Sequence, residues 1–188
     1  MIKIAILASG SGSNAENIAR YFESDKNIKI SYILSNKKEA FVLERAKKMG
    51  IKSQVFSNQE MKQENSLLDL LKKEADFIVL AGFLLKVPEN IIAAFPDKII
   101  NIHPALLPKY GGKGMYGMNV HNAVKKNQET ETGITIHYVN ENYDEGAIIF
   151  QAKTEVSSED TPEDIAQKVH ALEYEHFPRV IKEVITQE

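Results

Sequence analysis

The chain has 188 residues, with 23 Lys and Arg against 26 Asp and Glu, 43% hydrophobic and 26% charged residues, and neither Cys nor Trp. A chain of this length buries about two-thirds of its unfolded surface in a single core, so one globular domain spanning residues 1–188 is expected. A net charge of −3 lacks the basic excess that sequence-independent nucleic-acid binding requires, and the absence of cysteine excludes disulfides, thiolate nucleophiles and Cys-ligated metals.

The longest apolar run, Phe77–Leu85, falls well short of the roughly 20 residues of a membrane span. The first strand leads directly into a Ser/Gly loop with no signal-peptide pattern, so a cytoplasmic protein without nucleic-acid or membrane partners is expected.

Ile2–Ala8 is nearly continuous in apolar residues and closes in Ser9-Gly10-Ser11-Gly12, the pattern of a strand buried on both faces. The helix that follows carries Ala15, Ile18, Ala19 and Phe22 on one face, and Ser13 with Glu16 has the spacing of a capping box. A strand at Ile28–Ser35, a helix over Glu39–Met49 stopped by Gly50, and a strand at Ile51–Phe56 come next. A helix over Gln59–Glu74, a strand at Phe77–Ala81, a short helix Pro88–Phe95 and a strand Lys98–Ile102 complete this alternation. Beyond residue 130 the period changes to two. Gly133–Asn140 and Ala147–Val156 read as an antiparallel pair joined by Glu141–Glu145, and Thr161-Pro162-Glu163-Asp164 starts a closing helix with Ile165, Val169 and Leu172 inward. The fold expected is α/β: a doubly wound, mostly parallel Rossmann-like sheet with an antiparallel C-terminal strand pair and a closing helix.

Three segments can carry chemistry. Ser9–Asn14 joins a buried strand to a helix N-terminus, where free N–H groups and the helix dipole suit a phosphate; it reads equally as a tight βα turn. It has neither the Lys of a P-loop nor the full glycine spacing of a dinucleotide fingerprint. Asn101 and His103 share one face at the carboxyl end of a strand, where open α/β sheets bind ligands. They supply a fixed amide donor for an oxyanion and a proton carrier, although a lone strand-end His is often structural. Asp144 lies in an Asp-Glu-Gly turn and acquires a role only if the fold brings it to His103. His121, His137, His170 and His176 lack metal-ligand spacing, so no metal is expected.

Ser9–Asn14, Ala81-Gly82-Phe83, Asn101–Pro108, Gly133–His137 and Asp144-Glu145-Gly146 occur in the order and spacing of the folate-dependent glycinamide ribonucleotide transformylases, and the resemblance runs from residue 1 to about 180. It implies an enzyme of purine biosynthesis that moves a formyl group from the co-substrate 10-formyltetrahydrofolate to the amine of glycinamide ribonucleotide. It also implies that Gly12, Ser13 and Asn14 hold the substrate phosphate and that Glu173 contacts the glycinamide portion. Leu84, Leu85, Lys86 and Val87, with the loop from Asn140 to Asp144, line the pterin pocket, and Asn101 bonds the formyl oxygen. His103 acts as general acid, kept charged and oriented by Asp144, so its pKa is expected to be raised. Small-molecule substrates and a monomer or weak homodimer follow.

Two segments depart from the family pattern. Leu85 stands where the family often has Arg, and Gly111–Gly117 replaces a common Pro-Gly. The competing readings are methionyl-tRNA formyltransferase or formyltetrahydrofolate deformylase, both opposed by the chain's length, a sugar formyltransferase, and a non-catalytic nucleotide-binding module. The module leaves the Asn101, His103 and Asp144 spacing unexplained.

Overall fold

The structure, a computed structural model, describes residues 1–62 and 66–187. It forms two compact units, residues 1–100 and 101–188. The strands follow the order β3-β2-β1-β4-β5-β6-β7, and the expected α/β Rossmann-like class is the one observed.

In the first unit β1 (Ile2–Leu7) pairs in parallel with β2 (Ile28–Ser35) and β4 (Phe77–Leu80), and β2 with the short β3 (Ser53–Val55). Ile4, Ile6, Ile33, Leu34 and Val79 are fully buried, which explains why these strands read as continuous apolar runs rather than alternations. Around them lie α1 (Ser13–Tyr21), α2 (Phe41–Lys48), α3 (Asn58–Lys62), α4 (Ser66–Glu74) and α5 (Glu89–Ala94). The single helix expected over Gln59–Glu74 is represented by α3 and α4, and its residues 63–65 lie outside the described residues. Pro88 is the extended N-cap of α5 rather than a residue of its first turn.

In the second unit β5 (Ile99–His103), whose first two residues belong to the first unit, ends at Pro104 as expected. A proline has no N–H to continue a ladder. β6 (Glu131–Tyr138) and β7 (Ile148–Glu155) are antiparallel, with a register shift between Ile136 and His137. The alternation of β6 does not mark an exposed face, because every residue from Thr132 to His137 is buried. Thr135 and His137 are inside and hydrogen-bonded. α7 (Pro162–Thr186) opens with the capping box of Thr161 and Asp164 and packs on β6, β7 and α6.

α6 (Met118–Lys126) has no counterpart among the expected elements. Three left-handed glycines, Gly112, Gly114 and Gly117, precede it, and that density of turn signals masks the apolar positions Val120 and Val124 that it buries.

Candidate active site

In the first unit, the loop between β1 and α1 departs from the capping box that its sequence suggests. Gly12, at φ 74°, occupies the N-cap position without a side-chain cap bond, and Ser13 is the first helical residue. Glu16 turns away to Arg20 and Arg45 instead. The loop is braced by α2: the Val42 N–H donates to the Gly10 carbonyl, and the Arg45 guanidinium donates to Ser11 O at 2.8 Å. A Cβ on Gly12 would lie 2.3 Å from Val42 Cγ2 and 2.8 Å from its Cα. Glycine is therefore required here for both its left-handed backbone and the packing of α2. Ser9 is buried; its hydroxyl donates to Asn36 and accepts the Leu84 N–H at 3.0 Å. That bond ties the segment Leu84–Val87 to the same loop. Val87 is buried, Leu85 half-buried, and Leu84 and Lys86 exposed.

In the second unit, Asn101, His103, His137 and Asp144 form one connected cluster. His137 Nδ1 donates to the Tyr138 carbonyl at 2.8 Å, so its Nε2 is free to accept from Asn101 Nδ2 at 3.0 Å. This leaves Asn101 one further amide hydrogen. Asp144 holds a left-handed backbone at φ 56°, and its Oδ2 accepts the Gly112 N–H at 2.9 Å. The same oxygen lies 3.5 Å from His103 Nδ1, while Oδ1 lies 3.7 Å from His137 Nε2. His103 is 4% exposed and donates from Nε2 to the Tyr110 carbonyl at 2.7 Å. Its neutral tautomer therefore carries the proton on Nε2 and presents a bare Nδ1 to the carboxylate.

The loop after β5 is fixed from below by Thr135, whose hydroxyl accepts from the Leu107 N–H and Gln151 and donates to the Ala105 carbonyl. A Cβ on Gly111 would lie 2.6 Å from Leu107 Cδ2 and 3.4 Å from Asp144 Cβ, so any side chain there requires Leu107 to move. Asn140 caps the bend that leads to Asp144 by accepting the Asn142 N–H at 2.9 Å.

Electrostatics correct one expectation. Burial is the largest influence on His103 and lowers its pKa, outweighing Asp144 and the Tyr110 carbonyl, which favour the charged form. His103 is thus neutral in the free protein at neutral pH, where a raised value was expected. Asp144 is raised by burial, but the neighbouring His137 and His103 imidazoles and the Gly112 N–H prevail and hold it below the usual carboxylate value.

Glu173 on α7 is reached by His170 Nδ1 at 3.1 Å and acts electrostatically on both His103 and His121. His121, on α6, is buried with Nδ1 lacking a hydrogen-bond partner among the described residues. Burial also lowers its pKa. Neither His121 nor His137 was marked out by spacing, because each reaches the cluster only through tertiary structure. Among the described residues, no group of three or more His, Asp or Glu is arranged to hold a metal.

A half-buried amide, two buried imidazoles and a half-buried carboxylate, gathered at the carboxyl end of a strand, define an α/β protein equipped for acid–base chemistry on a small molecule. Residues 2–181 match the formyl transferase family, and the chain belongs to that family. It is 39% identical over 186 residues to the chloroplastic phosphoribosylglycinamide formyltransferase of Arabidopsis thaliana, covering 95% of this chain and 64% of that protein. It is 38% identical to phosphoribosylglycinamide formyltransferase of Haemophilus influenzae, covering 97% and 86%. The chain thus spans less than two-thirds of the Arabidopsis protein, and it spans 60% of a similar chloroplastic protein of Vigna unguiculata. The crystal structure of phosphoribosylglycinamide formyltransferase from Streptococcus pneumoniae superposes with a TM-score of 0.87 at 31% identity, covering 98% of this chain and 99% of that one. No helix among the described residues is long and apolar enough to cross a membrane.

Proposed function

We propose that the protein transfers the formyl group of 10-formyltetrahydrofolate to the amine of glycinamide ribonucleotide, and that its two units work as one formyltransferase domain. The observation that carries this reading is the connected Asn101–His137–Asp144–His103 cluster, with both imidazoles buried, in a chain of the formyl transferase family. The family match runs through both units.

Each residue has a task suited to its chemistry. The remaining amide hydrogen of Asn101 meets the formyl oxygen as it becomes an oxyanion. His103, neutral in the free enzyme, takes the proton of the attacking amine at Nδ1. The imidazolium so formed lies between Asp144 and the oxyanion, and both favour it. His103 then returns the proton to the departing folate nitrogen, so the same group serves as base and then as acid. Gly12, Ser13 and Asn14 hold the phosphate, with the N-terminus of α1 supplying oriented N–H groups and its dipole. Glu173 contacts the glycinamide portion. Leu84, Leu85, Lys86 and Val87, together with Asn140 to Asp144, line the pterin pocket. A cytoplasmic location and a monomer or weak homodimer complete the reading; cell fractionation and sedimentation test them.

The deciding experiment mixes the protein with 10-formyltetrahydrofolate and glycinamide ribonucleotide and follows the folate absorbance. Turnover that requires both substrates is expected. Turnover with an amino-sugar nucleotide in place of glycinamide ribonucleotide would transfer the reading to a sugar formyltransferase, and binding without turnover to a non-catalytic module.

A further inference from the structure

Tyr110 is a non-glycine residue in the left-handed region, at φ 56°. A bulky side chain there is strained and persists only where its surroundings fix it. The fixing contacts come from the turn that follows α6. The Tyr110 hydroxyl donates to Glu129 Oε1 at 2.9 Å and accepts from Asn127 Nδ2 at 2.8 Å. Lys109 Nζ reaches both oxygens of the same Glu129 carboxylate, at 3.0 and 3.2 Å. Lysine, tyrosine and asparagine thus hold one short stretch of backbone from its outer side. On its inner side, the carbonyl of this residue receives the only hydrogen bond from His103 Nε2 found among the described residues.

We infer that Tyr110 is a positioning residue for the acid–base step: its hydroxyl, clamped by Glu129 and Asn127, holds the strained backbone whose carbonyl keeps the His103 proton on Nε2 and leaves Nδ1 as the nitrogen that exchanges protons beside Asp144. The inference rests on His103 being the proton carrier. The phenol clamp thereby decides which nitrogen of His103 carries the proton. Without the clamp, the left-handed backbone relaxes toward an ordinary conformation, the carbonyl swings away, and Nδ1–H bonded to Asp144 becomes a competing tautomer. That tautomer has its free electron pair on Nε2 and none at Nδ1, where the amine proton must arrive.

The other groups that face His103 are Asp144 on the loop after β6, His137 on β6, His121 on α6 and Glu173 on α7. None of them contacts the Tyr110 phenol in the hydrogen bonds above, so removing the hydroxyl leaves their charges in place. Because the Tyr110 carbonyl favours the charged imidazole, losing it shifts His103 titration downward.

The test compares Tyr110→Phe, Glu129→Gln and Glu129→Leu with the wild type by nitrogen NMR of His103 and by steady-state kinetics across pH. Tyr110→Phe keeps the ring and removes both hydroxyl bonds. It is expected to mix the two His103 tautomers, move the titration midpoint of His103 to lower pH, and reduce kcat about fivefold to tenfold, the loss of roughly one hydrogen bond, with KM for both substrates within about twofold. Glu129→Gln retains an acceptor and should behave as wild type, whereas Glu129→Leu should reproduce Tyr110→Phe. Wild-type tautomer and midpoint in both Tyr110→Phe and Glu129→Leu would overturn the inference. Full turnover by His103→Ala sinks the catalytic reading instead, and the NMR signals still decide whether Tyr110 governs the ring.

Discussion

At the scale of single residues, proton placement on two imidazoles decides the chemistry. His137 spends Nδ1 on the Tyr138 carbonyl and accepts from Asn101 at Nε2, so it orients the amide. His103 has the opposite arrangement, with Nε2 on a carbonyl and Nδ1 open toward Asp144 at 3.5 Å. Replacing Asp144 by Asn removes the charge that favours the imidazolium, so the His103 pKa, already lowered by burial, falls further. The acid limb of kcat/KM should move to lower pH and turnover should drop by about 10²-fold or more, since the imidazolium formed in the transition state loses its counter-charge. An unmoved limb in Asp144→Asn would return that residue to turn chemistry. The effects of Asp144→Asn and His103→Ala should also be strongly non-additive, because each removes the same unit; fully multiplicative losses in the double variant would separate them.

At the scale of elements, what the sequence disclosed and what it hid have physical causes. Asn101 and His103 were legible because a strand places alternate residues on one face and Pro104 ends it. The phosphate-loop candidate was legible because glycines sit between a strand and a helix. His121 was hidden because α6 follows three left-handed glycines that read as loop, and Gly112 because a backbone N–H leaves no trace in residue type. The cap departs from its sequence pattern for a related reason: Ser13 and Glu16 have capping-box spacing, but Gly12 in the left-handed region takes the cap position and Arg20 and Arg45 claim the glutamate. Gly12→Val cannot isolate phosphate binding, because its Cβ would collide with the α2 backbone at Val42. Asn14→Asp is the cleaner variant, placing a like charge where the phosphate would sit. It should raise KM for glycinamide ribonucleotide at least about tenfold while changing KM for the folate less than about twofold. Equal effects on both substrates would remove the loop from the phosphate site. In the strand pair the tightest constraint is Gly133, where a Cβ would lie 1.9 Å from the Ala152 carbonyl oxygen across β6 and β7. Gly133→Ala must push the backbones apart and should cost about 1–3 kcal/mol in urea unfolding; an unchanged midpoint would mean that β6 and β7 can part there without loss.

At the scale of the whole molecule, burying a site of titratable groups makes stability depend on pH in two separate windows. His103 and His121 are both buried and both lowered, with burial the largest cause in each. A histidine with a depressed folded pKa binds fewer protons folded than unfolded, so its contribution is complete above the ordinary value of 6.5 and is lost as pH falls from there toward the folded value. Asp144 is also depressed, but from an ordinary value of 3.8. Its contribution is complete above that value and is lost only as pH falls through its folded pKa, well below the histidine window. Thermal unfolding should therefore show Tm declining first below about pH 6.5, when the imidazoles charge, and again below about pH 4, when Asp144 and the other lowered carboxylates protonate. His121→Asn tests the assignment without touching the His103–Asp144 pair. The variant leaves an amide where an imidazole with an unpartnered Nδ1 stood, so it should flatten the first decline and leave the second as it was. A first decline of undiminished depth in His121→Asn would show that the buried imidazole of α6 already takes up its proton without cost, and that His103 alone accounts for the sensitivity of the fold to mild acid.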